Sequence, residues 1–121
     1  MAKKFRGTFT VMVTAFDNDG LIDLDAQARF TQWQVDSGIH GLIPLGSTGE
    51  FLSMSYTERK AIAECVIKTV NGRVPVLVGA GAESTDDVIE NVEMAENLGA
   101  DGTMIIPCLL YTSPSPRDIG E

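Results

Sequence analysis

A chain of 121 residues, 44% hydrophobic and 21% charged, is long enough for one packed domain and too short for two ordinary ones. Its net charge of −8 argues against a nucleic-acid backbone as partner, since Lys3, Lys4 and Arg6 form the only basic cluster. No apolar run reaches membrane-spanning length and no signal-peptide core follows Met1, while Cys65 and Cys108 lack metal or redox spacing; a reducing, cytoplasmic setting without a metal site is expected.

Thr8 to Thr14 alternates polar and apolar residues with β-branched enrichment and reads as a first strand. Phe16-Asp17-Asn18-Asp19-Gly20 follows as a turn. Aligned with a calcium loop on Gly20, it puts Ala15 and Ala26 at the first and last ligand positions, where carboxylates are needed, so calcium is rejected. Asp23 or Asp25 caps a helix to about Ser37, with Gly38 as its stop. Ala26, Phe30 and Trp33 share one face of it, which makes Trp33 a core residue rather than a stacking platform.

Gly41 to Leu45 is apolar throughout, as expected of a strand buried on both faces. It ends in Gly46-Ser47-Thr48-Gly49-Glu50, two glycines bracketing two hydroxyl residues. Such a turn can bring backbone N–H groups and hydroxyls close to a carboxylate or phosphate, and it can equally be a polar turn that binds nothing. Ser55 and Glu58 stand at capping-box spacing before a second helix, whose buried stripe reads Ile62, Cys65, Val66, Thr69 and Val70 until Asn71-Gly72 ends it. On that stripe Cys65 is expected to pack rather than react.

Val74 to Val78 is a third strand that tolerates Pro75 near its start. Gly79-Ala80-Gly81 invites comparison with a dinucleotide site, but Ser84 replaces the third glycine and Asp101 precedes the next strand instead of ending it, so no nucleotide cofactor is expected. Ser84 or Thr85 caps a third helix with Val88, Val92 and Ala95 facing inward, Gly99 ends it, and Gly102 to Ile106 is a fourth strand. Gly38-Ile39-His40-Gly41 and Gly99-Ala100-Asp101-Gly102 form a faint internal echo. Strict alternation of strand and helix means a parallel sheet, either doubly wound or a (β/α)8 barrel, with ligands at the C-terminal strand ends where Ser47 and Thr48 sit. His40 precedes its strand at the opposite end and is read as structural.

Phe5-Arg6-Gly7, Val13-Thr14-Ala15-Phe16, Gly38-x-x-Gly41, Leu45-Gly46-Ser47-Thr48-Gly49-Glu50, Leu52-Ser53 with Glu58-Arg59, and Pro75-Val76-x-Val78-Gly79-x-Gly81 resemble the dihydrodipicolinate synthase/N-acetylneuraminate lyase family from about Phe5 to Pro107. The resemblance implies an α/β fold that is the N-terminal half of a (β/α)8 TIM barrel, with four parallel strands and three helices. It also implies an enzyme that joins pyruvate to a lysine as a Schiff base and runs an aldol-type condensation or cleavage. Carried over, Ser47 is catalytic and substrate-binding, relaying protons, and Thr48 is substrate-binding, holding the pyruvate carboxylate. Ala15 replaces a proline common in the family, with no functional consequence expected. The parent is expected to be a homo-oligomer, a dimer or tetramer, that takes pyruvate plus an aldehyde and neither nucleic acid nor membrane. Condensation with aspartate semialdehyde in lysine biosynthesis is the expected reaction. The family alternatives are N-acetylneuraminate lyase and 2-keto-3-deoxy sugar-acid aldolase or dehydratase.

After Pro107 the resemblance breaks: Cys108-Leu109-Leu110-Tyr111 stands where the family has two tyrosines, one of them in the proton relay. From Leu109 to Asp118 the string resembles a translated sequencing adapter, so residues 1–107 are expected to be truncated barrel and 108–121 a non-native tail. Recovering the source locus with this tail in frame would overturn that expectation. The chain has four lysines, Lys3, Lys4, Lys60 and Lys68, and none falls at the C-terminal end of a strand, so the chain as given is expected to be inactive. From a different class, a complete non-catalytic α/β module that binds an anion at Ser47 and Thr48 stays open. A stable, cooperatively folding monomer would favour it.

Overall fold

A computed structural model describes residues 5–82 and 84–105. Strand β1 (Phe9–Val11), helix α1 (Leu24–Asp36), strand β2 (Gly41–Ile43), helix α2 (Tyr56–Val70), strand β3 (Leu77–Gly79), helix α3 (Thr85–Leu98) and strand β4 (Gly102–Met104) follow one another, with two 3-10 turns, Ser47–Gly49 and Phe51–Ser53, between β2 and α2. The expected tail 108–121, with Lys3, Lys4 and Pro107, lies outside the described residues.

The strands are parallel. β1 pairs with β2 (Phe9 opposite Gly41, Val11 opposite Ile43) and β3 with β4 (Leu77 opposite Gly102, Gly79 opposite Met104). Two bonds join these ladders: the Leu42 N–H donates to the Pro75 carbonyl at 3.0 Å and the Gly79 N–H to the Pro44 carbonyl at 2.8 Å. Pro75 contributes its carbonyl and loses only a donor the ladder does not need. The order is therefore β1-β2-β3-β4, that of the chain itself, as in one wall of a barrel; a doubly wound sheet reverses its order at a switch point.

Helix limits follow their caps. Asp23, not Asp25, caps α1 by accepting the Ala26 N–H. Ser55 and Glu58 form both halves of the capping box on α2, and Ser84 caps α3, whose first turn carries Asp86 and Asp87 against the helix dipole. Asn71 and Gly99 close α2 and α3 in the left-handed conformation. The core gathers Met12, Leu42 and Leu45 with Ile62, Ala63, Val66 and Val70 of α2, Val76, Val78, and Met94 and Ala95 of α3. Each aliphatic side chain fully buried there contributes about 1.5–3 kcal/mol.

Three expectations about helix faces need correction. Trp33 is 61% exposed and stacks on Phe30 at 6.2 Å. The inward stripe of α1 is instead polar: Gln27, Thr31 and half-buried Gln34, at helical spacing, each hydrogen-bonded to β1, to the segment that follows it or to the helix backbone. Polar residues on a buried stripe defeat a reading based on hydrophobic periodicity. On α2 the buried stripe is Ile62, Ala63, Val66 and Val70, with Cys65 half-buried at its border beside α1, where its thiol lies 3.4 Å from the Leu24 carbonyl. On α3, Asn91 and Met94 join Ala95 inside, while Val88 and Val92 are only half-buried. The strands are also shorter than their apolar runs, because the pairing ends where the backbone turns away.

Candidate active site

The segment after β2 is shaped by backbone strain and close packing. Leu45 takes a left-handed φ of 65° and Glu50 one of 60°, so the chain reverses twice around the Ser47–Gly49 turn. Within it the Gly49 N–H donates to the Gly46 carbonyl and the Glu50 N–H to the Ser47 carbonyl, both at 3.0 Å. Among the described residues the N–H groups of Ser47 and Thr48 have no partner. Both side chains are exposed.

Ser47 and Thr48 face a cleft of about 210 Å³ lined also by Val11, Leu45, Gly46, Phe51, Gly79, Gly81 and Met104. Val11 ends β1, Gly79 ends β3 and Met104 ends β4, so the cleft lies at the C-terminal ends of the strands. This brings the two predicted site residues together at the predicted end of the sheet. Its wall is mostly apolar, with the hydroxyl residues Ser47 and Thr48 on one side. No lysine lines it. Lys60 and Lys68 are exposed on α2, and Lys68 pairs with Glu64 at 3.2 Å.

The glycines beside the site are explained by packing. A Cβ on Gly79 would overlap the Leu45 carbonyl, and one on Gly49 would lie 2.9 Å from the Met12 carbonyl oxygen. Within the Gly79-Ala80-Gly81 pattern, Gly79 thus serves contact between neighbouring strand ends. Asp17, the carboxylate of the rejected calcium loop, is engaged in its own turn, accepting the N–H groups of Asp19 (2.8 Å) and Leu21 (3.0 Å).

Supporting residues without an apolar signature escaped the sequence reading. Thr14, 8% exposed, donates its hydroxyl to the Gly49 carbonyl at 2.6 Å. Gln27, fully buried, accepts the Ala15 N–H at 2.8 Å and donates to the Val13 carbonyl at 3.3 Å. Asn91, 2% exposed, sends its amide N–H groups to the Ala80 and Gly81 carbonyls at 3.4 Å each. Helices α1 and α3 thus each use one buried amide side chain to hold the backbone that leaves β1 or β3. The available signal was a polar residue inside an otherwise buried helix face.

His40 sits at the other end of the sheet, as expected. Its Nδ1 accepts the Thr8 N–H at 2.7 Å, and its own N–H donates to the Thr8 carbonyl at 3.1 Å. Asp101 repeats this before β4: its carboxylate accepts the Val76 N–H at 2.9 Å and its N–H donates to the Val76 carbonyl at 3.0 Å. The sequence echo around His40 and Asp101 therefore marks one bracket used twice.

Comparison with known proteins agrees with this fold. Residues 4–120 match the Dihydrodipicolinate synthetase family. The 4-hydroxy-tetrahydrodipicolinate synthase of Rhizobium meliloti is 45% identical over 115 residues, covering 95% of this chain and 39% of that protein. The corresponding synthase of Brucella abortus is 39% identical over 116 residues, covering 96% of this chain and 39% of its own length. Among solved structures, a prophage protein of the dihydrodipicolinic acid synthase family from E. coli K12, in complex with pyruvate, superposes with a TM-score of 0.86 at 35% identity, over 96% of this chain and 39% of that one. Dihydrodipicolinate synthase from Thermotoga maritima gives a TM-score of 0.84 at 36% identity, over 95% of this chain and 38% of that one. The chain belongs to the Dihydrodipicolinate synthetase family and has the fold of the N-terminal half of a (β/α)8 barrel, spanning 39% of the length of the curated relatives compared above.

Proposed function

We propose that this member of the Dihydrodipicolinate synthetase family is the N-terminal part of a pyruvate-dependent Schiff-base lyase that condenses pyruvate with aspartate semialdehyde, the reaction of a 4-hydroxy-tetrahydrodipicolinate synthase. The observation that carries the reading is the cleft at the C-terminal strand ends with Ser47 and Thr48 on its wall. In this reading the Thr48 hydroxyl and the free N–H groups of Ser47 and Thr48 hold the pyruvate carboxylate, and the Ser47 hydroxyl passes protons to and from the substrate. The identity of 39–45% to proteins named as this synthase supports the synthase over its family alternatives.

The nucleophile belongs to the rest of the barrel. A full barrel takes about 250 residues and eight strands, and the chain's Lys60 and Lys68 lie on the outer helix layer. We assign residues 1–107 to the barrel and 108–121 to a tail outside it. The acting protein is a cytoplasmic homo-oligomer that works on small molecules.

The test is a pyruvate titration followed through backbone amide resonances, with borohydride added at the end. Shifts centred on Ser47 and Thr48, without a covalent lysine adduct, are expected. A specific adduct on any lysine of this chain, or shifts confined to other residues, would overturn the assignment.

A further inference from the structure

We propose that Thr14 is a positioning residue for the Ser47–Thr48 cradle, itself seated by the Gln27 amide of α1. Thr14 lies beyond the end of β1, and its hydroxyl reaches across to the Gly49 carbonyl at 2.6 Å. Gly49 closes the turn that begins at Ser47, its N–H already bonded to the Gly46 carbonyl. Gly49 is itself buried, so the Thr14 hydroxyl satisfies a carbonyl sheltered from water and fixes the tilt of the turn's last peptide group. That tilt sets the direction of the Ser47 and Thr48 N–H groups at the start of the same short turn.

Gln27 acts one step back. Its oxygen accepts the Ala15 N–H and its nitrogen donates to the Val13 carbonyl, so one fully buried side chain grips the peptide groups on both sides of Thr14. A leucine at this position would bury a similar volume and leave both groups unpaired. A polar side chain in the interior here has the specific effect of holding the backbone that carries Thr14. The link from α1 through Gln27, Thr14 and Gly49 to the cradle rests on hydrogen bonds alone; its bearing on pyruvate rests on the function proposed above.

Amide hydrogen exchange on the full chain separates a positioning role from general stabilisation, because local opening is read residue by residue. Thr14→Val is expected to speed exchange at Gly49 and Glu50 about tenfold, the effect of one buried hydrogen bond, while Ile62 and Val66 in α2 stay unchanged. Thr14→Ser, which keeps the hydroxyl, is expected to return Gly49 and Glu50 to the wild-type rate. Gln27→Leu, a second variant outside the cradle, should speed the same two amides together with Ala15. Equal acceleration at Ile62 and Val66 would make Thr14 a merely stabilising residue and overturn the proposal, as would unchanged rates at Gly49 and Glu50. Pyruvate-induced shifts at Ser47 and Thr48 should weaken in Thr14→Val and recover in Thr14→Ser. Absence of those shifts in the wild-type chain would count against the proposed function, and the exchange rates would still decide the role of Thr14.

Discussion

Gly79 and Pro44 are joined by an N–H to carbonyl bond of 2.8 Å, and the approach that allows it leaves no room for a side chain on Gly79. The obstructing atom is the Leu45 backbone carbonyl, in a residue already held at a φ of 65°. Backbone cannot swing aside as a side-chain tip can. Gly79→Ala is expected to destabilise the chain by about 3 kcal/mol, the upper range for overpacking, read as a lowered urea midpoint. An unchanged midpoint would mean that β2 and β3 do not approach this closely.

The brackets at the opposite end make a graded prediction. The His40 and Asp101 side chains each accept a backbone N–H from the residue just before the neighbouring strand, Thr8 and Val76 respectively. The bond to His40 is exposed and the bond to Asp101 part-buried, so loss of the second strands its donor further from water. His40→Ala should cost about 1 kcal/mol and Asp101→Ala about 2 kcal/mol, because an unsatisfied donor costs more when buried. Asp101→Asn keeps an acceptor and should recover most of the loss. Equal, negligible costs for both alanine variants in chemical denaturation would remove the bracket as a stabilising device.

Much of this architecture was legible because capping residues, turn glycines and apolar runs act locally. Ser55 with Glu58 and Ser84 with its two aspartates announce their helices from neighbouring residues alone. The Gly46 to Glu50 loop was legible for the same reason, since glycines and hydroxyls at a strand end carry their chemistry in their identity. What stayed hidden depends on contacts distant in the chain. Thr14 meets Gly49 across 35 positions, and nothing around either residue signals the pairing. Gln27, Thr31 and Asn91 are buried because each finds a hydrogen-bond partner inside, which periodicity scores as solvent-facing. Trp33 lies outside for the same reason: the inward stripe of α1 is polar, and an apolar period on the helix does not reveal it.

Trp33 is the only tryptophan in the chain, which gives its exposure a direct optical readout. At 61% exposure its indole contributes little burial energy beyond its stacking on Phe30. Trp33→Gln is expected to change stability by less than about 0.5 kcal/mol, as for surface positions generally. Emission of the folded chain should lie near that of the unfolded chain and be readily quenched by acrylamide. A blue-shifted, protected emission would place the indole in an interior after all.

Cys65 should be a slow nucleophile. Burial raises its thiol above the ordinary value of 9.0, the nearby Asp25 charge adds to the rise, and the Thr69 hydroxyl opposes it. Because the native state favours the protonated thiol, the associated stability is fully present below pH 9.0 and is lost as pH climbs through the higher folded value. In a Cys108→Ser background, reaction with a disulfide reagent at pH 8 is expected to be slower in the folded than in the unfolded chain, since only the thiolate attacks. The midpoint of the rate against pH should lie above 9.0. A midpoint below that value would mean an activated thiol and a role for Cys65 beyond packing.

Ser47 and Thr48 share a loop and a cleft, yet the roles proposed for them predict opposite kinetic signatures. The measurement needs a closed barrel, made by joining this chain to the C-terminal portion of the Rhizobium meliloti synthase. A carboxylate held by Thr48 is held alike in the ground and transition states, so Thr48→Val should raise the KM for pyruvate and leave kcat nearly unchanged. Losing one hydrogen bond to a charged group corresponds to roughly a 10- to 100-fold rise. A proton relayed by Ser47 moves only as the reaction proceeds, so Ser47→Ala should lower kcat by about 10²- to 10⁴-fold at a similar KM. Thr48→Ser, which keeps the hydroxyl, should retain most of the affinity. If Ser47→Ala instead raised KM alone, the hydroxyl would be a binding group and the proton path would have to run elsewhere.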